Sequence, residues 1–118
     1  MDLYGNEIIN RYKKPLFKSR GEVGLKKISG SNDSCGDKIY LYLKIHQGKI
    51  LEARQECVGC LLSNVSADFL CEQIEGMKLE DVKKITEKQI LSLFNLDDYS
   101  ERSKCVLLSL IVLQKYLV

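Results

Sequence analysis

"DKIYLYLKIHQGKILEARQEC", residues 37–57, decides the fold. In its first half Ile39, Leu41, Leu43 and Ile45 alternate with Tyr40, Tyr42, Lys44 and His46. A period of two marks a strand with one buried face, here predicted over residues 38–46. "HQGK" (46–49) is a tight connection, with Gly48 available for a positive φ. Residues 50–57 return as a strand, with Cys57 on the parity of Leu51 and Ala53 and therefore directed at the core. Upstream, "EVGLKKI" (22–28) reads as a weaker strand, and "GSNDSCG" (30–36) is turn chemistry throughout. The order is a meander of three antiparallel strands.

Outside this unit the pattern is helical. Residues 2–14 form a short helix with Leu3, Ile8, Ile9 and Tyr12 near one side, stopped by Pro15, the only proline. Residues 16–21 are loop. After Cys60, Leu62, Val65, Phe69 and Ile74 recur at helical spacing, and Gly76 is placed to end that helix. Residues 79–84 make a short amphipathic turn or helix. Thr86 and Gln89 form a capping box, so 87–94 is helical. "NLDDYS" (95–100) connects, and Ser100 caps a last helix over 101–117. Val106, Leu107, Leu110, Ile111, Leu113 and Leu117 cover much of that helix, which makes it the core helix. Strands first and helices second give an α+β fold: a three-stranded antiparallel sheet with helices packed on one face.

The 118 residues suit one domain, expected to span 1–118. With 45% hydrophobic and 29% charged residues the chain is globular rather than disordered. A net charge of +2 gives no argument for nucleic acid or an anionic membrane as partner. Residues 1–27 carry seven Lys/Arg against three Asp/Glu, a mild basic excess read as a solvated arm. Asp2, Glu7 and Glu22 interrupt it, unlike a transit peptide. No apolar run approaches the ~18 residues of a membrane span. A cytoplasmic location is expected. Five cysteines is an odd count, and cytosolic thiols stay reduced, which leaves metal ligation, thiol chemistry or plain burial.

The cysteines divide by position. Cys35 sits in the turn before the central strand, Cys60 opens a helix, and Cys105 falls in the first turn of the last helix. All three occupy element ends, where sites are usually built. Backbone N–H groups at a helix N-terminus favour a thiolate at Cys60 and Cys105. Cys57 and Cys71 read as small buried hydrophobes. Cys57-x-x-Cys60 is formally a CxxC, but no second pair completes a zinc ribbon, and an antiparallel meander is the wrong setting for a thioredoxin-like motif. Asp37 follows Cys35 by two, so in extended chain the two side chains point the same way. Thiol and carboxylate then either share an ion, or Asp37 only caps the turn. His46, the lone histidine, lies at the hairpin end of its strand, too far along to join them.

The pattern is C-G-D, then V-G-C ending 24 residues after Gly36, then K-C before a terminal apolar helix. It resembles the iron–sulfur cluster scaffold family: the NifU N-terminal domain, IscU and SufU. "LYGNEIINRYKKP" resembles the family's opening helix, "SNDSCGDKIYLYLKI" its first ligand turn and strand, and "GKILEARQECVGC" its hairpin return. "EGMKLEDV" resembles the exit from its first long helix and "RSKCVLLSL" its last ligand helix. The resemblance implies that Cys35, Asp37, Cys60 and Cys105 hold a transient [2Fe–2S] cluster or Zn2+. It also implies that Cys105, Cys35 or Cys60 accepts sulfur from a cysteine desulfurase, and that the cluster passes to apo iron–sulfur acceptor proteins. A carboxylate is a harder cluster ligand than a thiolate, so a mixed set suits hand-over better than storage.

Three departures accompany the likeness. Lys104 stands where IscU-type members have histidine, as SufU-type members often do; an auxiliary role for Lys104 in attracting an incoming persulfide follows from its place. The 44 residues from 61 to 104 match the short IscU-like spacing rather than SufU's insertion. The Leu-Pro-Pro-Val-Lys chaperone motif is absent, so docking to the specialised chaperone pair is not expected, and Leu61 and Leu62 replace small residues after the glycine-cysteine. An assembly scaffold is not an enzyme; the alternative, a SufU-type zinc-dependent sulfur acceptor, is a sulfurtransferase using the same four residues. A third possibility, a structural zinc domain, sits poorly with a chain that has its own apolar core helix. Monomer and dimer are both compatible with a three-cysteine site.

Overall fold

The computed structural model describes residues 5–21, 23–32, 36–96 and 101–117. The elements run α1 (Gly5–Lys13), β1 (Lys26–Asn32), β2 (Asp37–His46), β3 (Lys49–Val58), α2 (Leu61–Ile74), α3 (Leu79–Val82), α4 (Glu87–Ser92) and α5 (Glu101–Leu117). The strands form one antiparallel sheet in the order β1-β2-β3. The α+β architecture expected from the sequence is present.

Alternation places Ile39, Leu41 and Leu43 on the buried face, opposite Cys57, Gln55 and Ala53 of β3. Helices α2 and α5 cover that face, closing a core that includes Val65, Leu70, Ile74, Val106, Leu110 and Leu113. Every residue from Cys105 to Leu110 is buried, so α5 is the core helix and has no broad solvent face in this stretch. The hairpin turns on Gln47 and Gly48, both at positive φ (50° and 74°), the two-residue geometry whose twist matches the strands. Thr86 and Gln89 exchange both capping-box bonds.

Two expectations are corrected. The first strand occupies Lys26–Asn32 rather than 22–28; Glu22 lies outside the described residues. Gly21 and Gly24 take left-handed φ and break the extended run before Lys26. Residues 30–32, read as turn, instead pair with 37–39, because α5 lies on the strand there: a Cβ at Gly30 would meet Val112 Cγ2 at 2.3 Å. Leu51 does not share the inward parity of Ala53 and Cys57. The register shifts between Lys44 and Ile45, so Ile50 turns in and Leu51 is 44% exposed.

The N-terminal arm is tied down by one carboxylate. Asp68, mid-α2 and fully buried, accepts from Arg11 Nε (2.8 Å), the N–H groups of Leu16 (2.9 Å) and Phe17 (2.8 Å), and Gln55 Nε2 (3.1 Å). Arg11 also pairs with Glu72 and lies over the Phe69 ring. Residues 17–19 then run along β3, with Phe17 O and Ser19 N bonded to the Gln55 backbone. Leu3 of the expected helix face and the capping residue Ser100 lie outside the described residues.

Candidate metal centre

Three elements deliver one side chain each to one end of the sheet. Asp37 begins β2, Cys60 is the residue before α2, and Cys105 is the fifth residue of α5. A carboxylate oxygen and the two Sγ atoms all lie within 4.8 Å of one another. Asp37 is 1% exposed and Cys105 7%, while Cys60 is exposed, so the group is a floor and wall open on one side.

Local backbone chemistry explains the convergence. Cys60 has extended angles (φ −74°, ψ 168°) and its side chain makes no capping bond to the backbone; its Sγ lies 3.6 Å from Ser63 Oγ in the first turn of α2. Its carbonyl is bonded instead, accepting from Asn64 N (3.2 Å), Asn64 Nδ2 (2.9 Å) and Ser63 Oγ (3.0 Å). Its N–H donates to Asp37 Oδ1 at 3.0 Å, and its Sγ stands 4.0 Å from Oδ2. That bond needs Gly59: a Cβ there would meet Asp37 Oδ1 at 2.1 Å. The Asp37 side chain therefore reaches across to the α2 start and does not serve only its own turn.

Cys60 opens α2 as expected. Cys105 does not lie in the first turn of α5: the helix begins at Glu101, and the thiol is buried one turn further in. Lys104 beside it is exposed. Cys35, two residues before Asp37, lies outside the described residues. Cys57 and Cys71 stay out of the group. Cys71 is fully buried, and burial pushes its thiol far above the ordinary value. Cys57 is half-buried, its thiol also raised by burial, and donates to Ser63 Oγ at 3.5 Å. His46 ends the same strand that Asp37 begins, roughly 30 Å away along an extended chain of this length. Gly59, Ser63 and Asp68 were not singled out from the sequence. A charged residue inside the apolar run "SADFLC" was the available signal for Asp68.

The donor set fits a thiophilic metal or an iron–sulfur cluster. Two soft sulfurs flank one buried oxygen, a combination zinc and iron both accept. Asp37 keeps Oδ2 turned toward the Cys60 thiol.

Residues 3–117 match the family model described as NifU-like N terminal domain. The chain is 27% identical over 123 residues to the iron–sulfur cluster assembly scaffold protein IscU of Thermotoga maritima, covering 91% of this chain and 87% of that protein. It is 31% identical over 78 residues to the zinc-dependent sulfurtransferase SufU of Bacillus subtilis, covering 66% of this chain and 52% of that protein. A crystal structure described as a candidate iron–sulfur cluster assembly scaffold protein for the SUF system, from Fervidobacterium islandicum AW-1, superposes with a TM-score of 0.83 at 26% identity over 98% of this chain and 97% of that one. No helix among the described residues is long and apolar enough to cross a membrane.

Proposed function

The chain belongs to the NifU-like N-terminal domain family, and from that membership we propose that residues 1–118 form a scaffold domain on which iron–sulfur clusters are assembled. Cys35, Asp37, Cys60 and Cys105 are the ligands of the cargo. The observation that carries the proposal is the convergence of Asp37, Cys60 and Cys105 from three separate elements within 4.8 Å. The exposed Cys60 thiol beside that buried carboxylate supports a binding role over a purely structural one.

The cargo is a substrate: iron arrives as ferrous ion and sulfur as a persulfide. A thiol reductant such as free cysteine supplies the two electrons that release each persulfide sulfur as sulfide, and is itself oxidised to a disulfide. The iron and sulfide combine on the thiolates and leave. The exposed Cys60 is the favoured entry point for sulfur. Its thiolate attacks the outer sulfur of a persulfide on a cysteine desulfurase; the donor thiolate leaves, and Cys60 carries the persulfide. Asp37 anchors the Cys60 backbone while offering a harder, more exchangeable donor than a third thiolate. Exposed Lys104 supplies a positive charge next to Cys105 that draws the anionic persulfide. Acceptor apo-proteins then receive the cluster.

Lys104 and the likeness to SufU support a second reading, in which the same four residues hold Zn2+ and the chain relays sulfur without building a cluster. The test is anaerobic: reduced protein, a cysteine desulfurase, cysteine and ferrous iron, with the visible spectrum recorded over time. Sulfide-to-iron charge-transfer bands that vanish on mutating Cys35, Cys60 or Cys105 are expected. Tightly held zinc and faster desulfurase turnover, with no bands, would select the sulfur-relay reading.

A further inference from the structure

The sheet has two edges, and the chain treats them differently. Residues 17–19 lie along β3 and engage its backbone at Gln55. Strand β1 pairs only with β2 among the described residues, so over residues 26–30 its outer edge carries backbone N–H and C=O groups turned away from the sheet. Beside that edge lies a hollow of about 570 Å3, lined by residues 26–31 and by Leu108, Ile111, Val112, Lys115 and Tyr116 of α5. A second hollow of about 430 Å3 shares Ser31, Leu108 and Ile111 with the first and continues to Glu87 and Lys104. Together they form one groove, from Lys115 to the residue next to Cys105.

The groove has an apolar wall and a basic rim. Ile111 is 46% exposed and Tyr116 40%, unusual for large side chains on a core helix. Lys26, Lys27, Lys104 and Lys115 line the two hollows against a single acidic residue, Glu87. An open strand edge beside a groove is the geometry that accepts an added strand: the backbone supplies hydrogen bonds and alternate side chains enter the groove. The rim selects the occupant. Four lysines against one carboxylate favour an acidic chain over a second copy of this chain, whose own rim is equally basic.

We propose that β1 and the β1–α5 groove dock an extended segment of a partner protein, with alternating apolar and acidic side chains, as a fourth strand. Residues 26–31 span about 20 Å, room for six to eight residues of the partner. The groove ends at Ser103 and Lys104, on the turn of α5 that carries Cys105, which favours a partner that exchanges sulfur or cluster with the site. That last step rests on the scaffold reading; the docking itself does not.

The test uses the metal-free, isotopically labelled full chain and a capped synthetic octapeptide in which valine alternates with glutamate. Saturable NMR shifts confined to β1 and α5 are expected, with slowed amide exchange at alternate residues of β1. Lys26→Glu with Lys115→Glu, or lysine for glutamate in the peptide, weakens binding about tenfold, the effect of reversing two rim charges. Ile111→Ser, at an exposed position, weakens it without unfolding the chain. Cys60→Ser leaves peptide affinity unchanged, which separates failure of docking from failure of the scaffold reading. Absent binding, shifts centred on β3, or β1 protection that rises with protein concentration alone would each overturn the proposal, the last by assigning the edge to a second copy.

Discussion

Gly59→Ala tests whether Asp37 is held as a ligand or merely buried. The φ of Gly59 lies outside the left-handed region, so alanine meets no backbone penalty and the steric effect stands alone. Its Cβ would lie 2.1 Å from Asp37 Oδ1 and 3.1 Å from Asp37 Cα. A relaxed C···O contact is about 3.3 Å, so the oxygen must retreat by roughly 1.2 Å. Asp37 cannot retreat as a whole, being 1% exposed and paired with Asn32 in the sheet. The carboxylate must rotate, and the 3.0 Å bond from Cys60 N–H is lost. A hydrogen bond to a charged group contributes about 1.5–3 kcal/mol, and the Gly→Ala gain in the unfolded chain returns about 0.4–1. A net destabilisation of about 1–2 kcal/mol is expected. Zinc affinity should fall about 10–100-fold, the usual effect of losing a residue that orients a ligand. Competition against a chromophoric zinc chelator measures the affinity, and amide exchange at Cys60 measures the bond. Affinity within twofold of wild type, with unchanged exchange at Cys60, would refute the reasoning.

Three further outcomes are expected. Asp37→Ala removes the exchangeable oxygen donor, so a reconstituted cluster persists longer and its transfer to an apo-ferredoxin slows; faster loss than from wild type would count against Asp37 as the labile ligand. Asp68→Asn leaves Arg11 beside an uncharged amide and should cost about 3–5 kcal/mol in urea unfolding, with zinc stoichiometry unchanged. Cys71 has its thiol raised by burial above the ordinary 9.0, so the unfolded chain releases that proton first as pH rises. Its contribution to stability is therefore complete below pH 9.0 and declines above it, by about 1.4 kcal/mol per pH unit. Cys71→Ala removes this part of the alkaline decline while binding metal normally, and an alkaline slope identical to wild type would exclude the assignment.

Local signals carried most of the fold. The alternation of 38–46, the Gln47–Gly48 reversal and the Thr86–Gln89 box depend on residues a few positions apart, and all three are realised. The errors came from contacts that neighbours in sequence do not announce. Gly30 reads as turn until Val112, 82 positions later, is seen against it; the count is 112 minus 30. Leu51 reads as core until the register shift opposite Lys44 turns it outward. The last helix starts at Glu101 as read from the sequence, so Cys105, its fifth residue, lies past the first turn, and its burial comes from the packing of α5 in the core.

The candidate site was legible in part, as Asp37, Cys60 and Cys105 converge from the ends of separate elements, while the distinction between its carboxylate and a structural one was not. Asp37 and Asp68 are both buried, at 1% and 0% exposure, and nothing in the sequence ranks them. Their partners do. Asp68 is saturated by two backbone N–H groups, a guanidinium and an amide, and has its charge answered by Arg11. Asp37 receives one backbone N–H on Oδ1, and its Oδ2 faces the Cys60 thiol at 4.0 Å. An ionised carboxylate out of water needs a compensating charge. For Asp68 that charge is part of the chain, and it fastens the N-terminal arm. For Asp37 no such cation is recorded among the described residues, and two thiols stand where a metal would supply it. Loading with zinc should therefore stabilise the folded chain by an amount that Asp37→Asn reduces and Asp68→Asn does not. Equal reductions from both variants in thermal unfolding at fixed zinc would mean that Asp37, like Asp68, serves the fold alone.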